Sequence, residues 1–281
     1  MTSPLTVAEL WVYPIKGCRG VSLDQADLTP TGLHYDRQWM IVDPAGKFIT
    51  QRELPQLAQI AVTWDEQTLT LTTENHSEPC RVSLDDTGRE QPVQVWRSHT
   101  IALDQGDRVA AWLSDVLGRS VRLVRQSPEQ IRAIDPRYAG AENLPVSFAD
   151  GYPVLVTNTA SLADLNERIA RQYGDRTACV PMNRFRPNLV VSSDAPFAED
   201  DWSALRIGAV QLALVKACDR CIVTTTDQQR GSRNPNQEPL KTLATFRKRP
   251  GQGILFGENG IPQQLGRIHV GDDVLAIGSS V

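Results

Sequence analysis

The sequence predicts a mainly β protein with a few helices, an α+β fold in two domains, and three observations carry that expectation. Short segments with period-two alternation recur at 7–13, 38–43, 60–64, 69–73, 93–96 and 101–103, and such alternation puts every second side chain on one face of a strand. Turn clusters separate them, as in Thr29-Pro30-Thr31-Gly32, Asp43-Pro44-Ala45-Gly46 and Asp85-Asp86-Thr87-Gly88, the pattern of a small β-barrel or sandwich. Helical spacing is confined to three segments.

The first of these, 107–117, sets Val109, Leu113 and Leu117 on one face and ends at Gly118, a left-handed cap that glycine adopts without a steric penalty. A strand at 121–124 follows. The stretch 125–143 is polar, holds two prolines and has no sustained period, so it reads as a linker or long surface loop. The boundary falls at its start, giving domains 1–123 and 124–281. The second half opens with a strand at 152–156 and a helix at 161–173, in which Leu162, Leu165 and Ile169 repeat at helical spacing and Ser161 is read as the N-cap. Strands at 188–191, 208–216, 222–225 and 273–277 and a short helix at 239–248 complete a second, mainly β half. A chain of 281 residues is long enough for two medium cores.

Acidic residues outnumber basic ones, 33 to 29, for a formal charge of -4. No overall field attracts a nucleic acid or an anionic membrane. No apolar run is long enough to span a bilayer, and Met1-Thr2-Ser3-Pro4-Leu5 lacks the basic-then-apolar pattern of a secretion signal. Five cysteines, an odd and sparse set, fit a reducing compartment. A cytoplasmic location is expected.

Chemistry concentrates in a few runs. Cys218-Asp219-Arg220-Cys221 admits three readings: a zinc half-site, a redox dithiol, or one thiolate ligand with a bystander. Structural zinc requires four ligands, and the other cysteines are isolated, while His34, His76, His99 and His269 show no paired spacing. A thioredoxin-like dithiol sits at a strand-to-helix junction, but both flanks here are β-rich. A single thiolate, its pKa lowered by neighbouring Arg220 and Lys216, suits a soft or high-valent metal. Arg184-Phe185-Arg186-Pro187-Asn188 offers guanidinium forks for phosphate. Lys16-Gly17-Cys18-Arg19-Gly20 is a basic, glycine-rich turn in which backbone approaches a ligand closely. Arg37 adds a cation, and Asp150 a carboxylate beside Gly151 and Tyr152. The sum is an activated thiol with several cationic turns, suited to a metal and a phosphate-bearing cofactor.

These runs, in this order, resemble the MOSC proteins, and most closely the mitochondrial amidoxime-reducing components and their bacterial relatives. The resemblance spans nearly the whole chain. It begins with Leu10-Trp11-Val12-Tyr13-Pro14-Ile15-Lys16 and Asp36-Arg37-Gln38-Trp39, and continues through Ser161-Leu162-Ala163-Asp164-Leu165-Asn166, Phe185-Arg186-Pro187-Asn188 and Cys218-Asp219-Arg220-Cys221-Ile222. It closes with Glu238-Pro239-Leu240-Lys241-Thr242-Leu243 and Leu255-Phe256-Gly257. The resemblance implies an N-terminal MOSC β-barrel domain followed by a MOSC β-barrel domain that binds molybdenum cofactor. It implies that Cys221 is the molybdenum ligand and that Cys218 is a packing or supporting residue. It further implies that Lys16, Arg37, Gly151, Tyr152, Arg186, Asn188 and Arg220 hold the pterin and its phosphate. Gly17, Asp219 and Asn259 fall at contact positions too, but differ from the residues usual there, so the family's side-chain bonds are not carried over to them.

The implied activity is reduction of N-hydroxylated compounds (amidoximes, hydroxylamines, N-hydroxylated bases) to amine or amidine and water. Electrons are expected from a separate protein, a ferredoxin, cytochrome b5-like protein or flavin reductase, since no four-cysteine spacing for an iron–sulfur cluster is present; no zinc is expected. Asp150 is nominated as proton donor. Two rivals are a cofactor carrier or storage protein and a sulfur-transfer protein with a persulfide on Cys218 or Cys221.

Overall fold

Alternating segments need partners, and the pairing they find crosses the whole sequence. The computed structural model describes residues 4–84, 88–130, 132–139 and 143–278. The turn expected at 85–88 therefore lies, for its first three residues, outside the described residues. Among the described residues the largest sheet has nine strands. Along it run Val274–Gly278, Trp202–Ile207, Val210–Asp219, Gly253–Gln264, Val154–Asn158, Leu189–Ser192, Thr6–Val12 and Val21–Leu23, with Lys248–Arg249 pairing at one side. Thr6–Val12 thus lies beside Leu189–Ser192, and Gln25–Thr29 pairs with Gly266–His269. The sheets do not divide where the sequence segments do: of the strands in residues 6–33, all but Ile15–Lys16 are built into sheets with strands of the second half.

A five-stranded sheet joins Arg89–Val95, Ser98–Asp104, Arg122–Gln126, Trp39–Val42 and Ile15–Lys16. Its inner face, with the three-stranded sheet of Ala61–Trp64, Thr68–Thr73 and His76–Ser83 and the helix Asp107–Leu117, encloses a core of Ile15, Trp39, Ile41, Leu57, Leu69, Leu113 and Leu123. The helix buries Val109, Leu113 and Leu117 as its spacing predicts, and Gly118 closes it at φ 64°. A second core, including Leu10, Leu28, Val156, Val191, Leu205, Leu212 and Ile268, mixes N- and C-terminal residues. Burial of such apolar area is the dominant favourable contribution to folding.

Three local expectations differ from the structure. The second long helix runs Thr159–Tyr173 and its N-cap is Asn158, whose Oδ1 accepts from the Ala160 N–H at 2.8 Å. The strand Val154–Asn158 enters the helix without a loop, so the capping position comes earlier than Ser161. Ser161 is instead fully buried, donating to the Glu199 carboxylate at 2.8 Å and accepting from the Phe197 N–H at 2.7 Å. The β-branched run Ile222–Thr225 is a 3₁₀ turn. There the Thr224 and Thr225 hydroxyls donate back to the carbonyls of Cys221 and Ile222 at 3.0 and 2.7 Å, a local bond that competes with the sheet. The polar stretch after 125 is not free of structure, since Arg132–Ala133 pairs with Pro145–Val146 and Pro136–Ala139 forms one helical turn.

The strand Gly253–Gln264 went unrecognised in the sequence because Gly257, Gly260 and Pro262 interrupt its pattern. It holds the sheet's centre and carries Glu258, which is 7% exposed. Burial first, then the carboxylates of Asp200 and Glu199, push Glu258 up from 4.5 to about 8. The folded state thus holds this proton more tightly than the unfolded chain does, so the contribution of Glu258 to stability is full below pH 4.5 and is lost as pH rises toward 8. Glu258→Gln is expected to flatten that decline when the melting temperature is measured by calorimetry across this window. An unchanged slope would show that the carboxyl is ionised in the folded protein.

Candidate functional site

The cleft is built where the two large sheets meet. Lys16 and Gly17 end the short strand Ile15–Lys16, and Arg37 lies in the turn before Trp39–Val42. Asp150, Gly151 and Tyr152 precede Val154–Asn158, while Arg186 and Asn188 precede Leu189–Ser192. Asp219, Arg220 and Cys221 lie at the end of Val210–Asp219, and Asn259 faces them from Gly253–Gln264. All of these candidate residues line one cleft that is partly open to solvent. Register shifts between Leu214 and Lys216 and between Ala217 and Asp219 mark bulges in the strand beside it, the kind of irregularity that re-aims side chains at a site.

Two arginines are held at considerable backbone cost. Arg37 and Arg186 have φ of 49° and 56°, the left-handed region that a non-glycine residue enters only when its surroundings demand it. Arg37 is pinned by its N–H to the Tyr13 carbonyl and by its own carbonyl accepting from the Phe148 N–H, both 2.9 Å. Its guanidinium donates to Asp36 (2.5 Å), Asn188 Oδ1 (3.0 Å) and the Arg186 carbonyl (3.1 Å). Arg186 donates to the Cys18 carbonyl at 2.7 Å and to Gln228 Oε1 at 3.1 Å. Burial brings the Arg186 guanidinium down to about 10, so it remains cationic at neutral pH. The Tyr13 ring lies 4.3 Å from the Arg37 guanidinium and 4.1 Å from that of Arg186. Its π-electrons offset the repulsion between the two like charges. The Tyr13 hydroxyl is buried and has no hydrogen-bond partner among the described residues.

Lys16 is 8% exposed and donates to the Phe148 carbonyl at 2.7 Å and to Asp150 at 2.5 Å. Burial alone would raise the Asp150 carboxyl, but the Lys16 ammonium and the Trp96 indole N–H at 3.0 Å outweigh it and hold it well below the usual carboxylate range. Asp150 is therefore an ionised acceptor. Its contacts hold Lys16 and Trp96 in place.

The cysteine pair divides. Arg220 donates through Nη1 to the Cys218 sulfur at 2.8 Å and through Nη2 to the Phe185 carbonyl at 2.5 Å. Burial nonetheless pushes the Cys218 thiol up, against the pull of that guanidinium. The expectation that Arg220 would activate Cys221 is thus corrected: its guanidinium reaches Cys218. Cys221 begins the turn Ile222–Thr225, its carbonyl accepting from the Thr224 N–H at 3.1 Å. Its sulfur, at the cleft wall, has no hydrogen-bond partner among the described residues.

Other expected contacts are directed inward. Asn188, 1% exposed, accepts from the Leu155 N–H at 3.1 Å and donates to the Trp11 carbonyl at 3.1 Å, so its carboxamide ties three strands and Arg37 together. Asp219 accepts from the Ile254 N–H at 3.1 Å, and Asn259 donates to the Lys216 carbonyl at 3.0 Å. Gly17 has φ 85°, and its carbonyl accepts from Gln51 at 2.7 Å. Beside Gly151 a Cβ would meet nothing within 4 Å, leaving its backbone accessible. Tyr152 packs edge-on against Tyr138. Phe48, Gln51, Arg52, Trp96 and Thr224 also line the cleft. Sequence reasoning did not single them out, and no local motif marks them.

Cationic side chains with unused N–H groups, an accessible glycine backbone and an uncommitted thiol form a donor set that fits an anionic pterin cofactor with a soft metal. The Arg220 Nε–H, buried and without a partner among the described residues, is one further donor in that set. Comparison with known proteins agrees in class: residues 4–120 match the MOSC N-terminal beta barrel domain and residues 143–275 the MOSC domain. The chain is 35% identical to mitochondrial amidoxime-reducing component 1 of Homo sapiens, over 97% of this chain and 83% of that protein. It is 34% identical to mitochondrial amidoxime reducing component 2 of Bos taurus, over 96% and 82%. Similarity extends to molybdenum cofactor sulfurase of Oryza sativa subsp. japonica, 33% identical over 91% of this chain but only 32% of that protein. The chain belongs to the family of the mitochondrial amidoxime-reducing components. Among the described residues no helix is long and apolar enough to cross a membrane.

Proposed function

We propose that this protein is a molybdenum-cofactor-dependent reductase of N-hydroxylated compounds, with Cys221 as the protein's ligand to molybdenum. The observation that supports it most is the convergence of the uncommitted Cys221 thiol with Lys16, Arg37 and Arg186 on one cleft. The bound cofactor would supply the two electrons for N–O cleavage. Lys16, Arg37 and Arg186 bind its phosphate by charge-assisted hydrogen bonds, Gly151 offers backbone to it, and Arg220 braces the loop that presents Cys221. Asn188 and Tyr13 keep the arginines in place, and Asp150 fixes the direction of Lys16. Two protons accompany the electrons and reach the open cleft from water. A separate electron-donor protein feeds the site, and five free cysteines suit a reducing, cytoplasmic setting.

The test is expression in a host that makes molybdenum cofactor, followed by molybdenum analysis and benzamidoxime reduction with a chemical electron donor. Stoichiometric metal with turnover supports the reading; stoichiometric metal without turnover of any N-hydroxylated compound favours a carrier. A persulfide trapped on Cys218 or Cys221 favours sulfur transfer. Cys218→Ser is expected to keep its molybdenum and to lose at most about tenfold in activity, the scale of a supporting contact. Complete loss of metal there would make Cys218 a ligand.

A further inference from the structure

The hairpin between Arg89–Val95 and Ser98–Asp104 is closed by two residues, Trp96 and Arg97, since Val95 pairs with Ser98. Trp96 has φ 54° at a position that glycine, asparagine or aspartate ordinarily fills, and a large aromatic there costs free energy. The indole is only half-buried, so packing alone does not account for that cost. It is held from several sides. Its N–H donates to Asp150 at 3.0 Å, its ring meets Phe48 at 4.7 Å with an interplanar angle of 65°, and its carbonyl accepts from Gln94 at 2.8 Å. The Arg52 guanidinium lies 4.5 Å from the ring centroid. Arg52 is exposed at the cleft, and among the described residues its guanidinium has no carboxylate or carbonyl partner; its backbone N–H donates to the Thr50 hydroxyl at 2.9 Å and its carbonyl accepts from Arg233.

We infer that Trp96 and Arg52 form a stacking shelf that selects planar, conjugated N-hydroxylated substrates over saturated ones. The inference rests on the reductase reading and names the substrate class of that same site. An indole and a guanidinium both present flat faces to a π-system. Amidoximes conjugated to an aryl ring and N-hydroxylated bases are flat and gain from such a surface, whereas an N-alkylhydroxylamine has no face to offer. Base-on-aromatic stacking is sequence-tolerant, so the shelf admits any planar member of the class. It also leaves the N–O bond itself to be placed by the rest of the cleft.

The experiment compares loaded wild-type protein with Trp96→Ala, Trp96→Phe and Arg52→Ala, reading molybdenum content and kcat/KM for benzamidoxime and N-methylhydroxylamine. Trp96→Ala is expected to lower the benzamidoxime to N-methylhydroxylamine ratio about tenfold, mostly through KM, and Arg52→Ala to lower it less. Trp96→Phe, which keeps a ring and lacks the N–H, should retain most of the ratio and so separate stacking from the bond to Asp150. An unchanged ratio, an equal fall for both compounds, or loss of molybdenum from Trp96→Ala would overturn the shelf. Calorimetric titration of both compounds into the oxidised holoprotein separates the two readings: absence of turnover by the wild type refutes the reductase. Even then, tighter binding of benzamidoxime that Trp96→Ala abolishes would support the shelf, and equal binding would refute it.

Discussion

Cys221→Ala, purified from a host that makes molybdenum cofactor, is expected to contain less than about a tenth of the wild-type metal and to reduce benzamidoxime no faster than background. Changing a residue that merely supports a metal ligand typically costs ten- to a hundredfold in metal affinity, and removing the ligand itself costs more. The structure supplies the reason to single out this sulfur. Cys218 is engaged by Arg220 at 2.8 Å, while the Cys221 sulfur is uncommitted at the cleft wall. Metal analysis by mass spectrometry checks the expectation, with circular dichroism to establish that the variant is folded. Full metal loading in the variant would remove Cys221 from its proposed role.

Tyr13→Leu is expected to release the cofactor as well, although Tyr13 is 1% exposed and no motif-based reading assigned it a role. Its ring is shared by two guanidiniums at 4.3 and 4.1 Å. Each such contact is worth about 1–2 kcal/mol when desolvated, so loss of the ring leaves two buried cations facing each other. Molybdenum retention is expected to fall about tenfold or more. Tyr13→Phe keeps the ring and discards a buried hydroxyl that has no partner, whose burial costs about 1–3 kcal/mol. That variant should hold its molybdenum and melt no lower than the wild type. If it loses metal as Tyr13→Leu does, the hydroxyl itself contacts the cofactor.

The cysteine pair shows how far sequence reading reaches. Spacing argued against zinc and pointed to a single thiolate, but proximity in the chain suggested that Arg220 would serve its immediate neighbour Cys221. A bulged strand end turns alternate side chains in different directions, and the guanidinium reaches back to Cys218 and Phe185 instead. Asp150 shows the same limit. A carboxylate beside glycine reads as a loop acid, and only the fold places the Lys16 ammonium 2.5 Å from it.

The helix Asp107–Leu117, the glycine that ends it and the alternating strands followed from local periodicity, because side-chain direction repeats with a fixed period in each element. Cleft-lining residues that sit in motifs, such as Lys16, Arg186 and Arg220, were legible as well, whereas Phe48, Gln51, Arg52, Trp96 and Thr224 were not. Tertiary structure alone decided which strands pair, how Thr6–Val12, Val21–Leu23 and Gln25–Thr29 enter sheets with strands of the second half, and why Arg37, Arg186 and Trp96 accept left-handed backbones. Those outcomes depend on contacts distant in the chain, from 54 residues for Trp96 with Asp150 to 168 for Arg186 with the Cys18 carbonyl. Short-range pattern carries no record of such contacts: the energy that holds a strained residue comes from its packed surroundings, not from its neighbours in the chain.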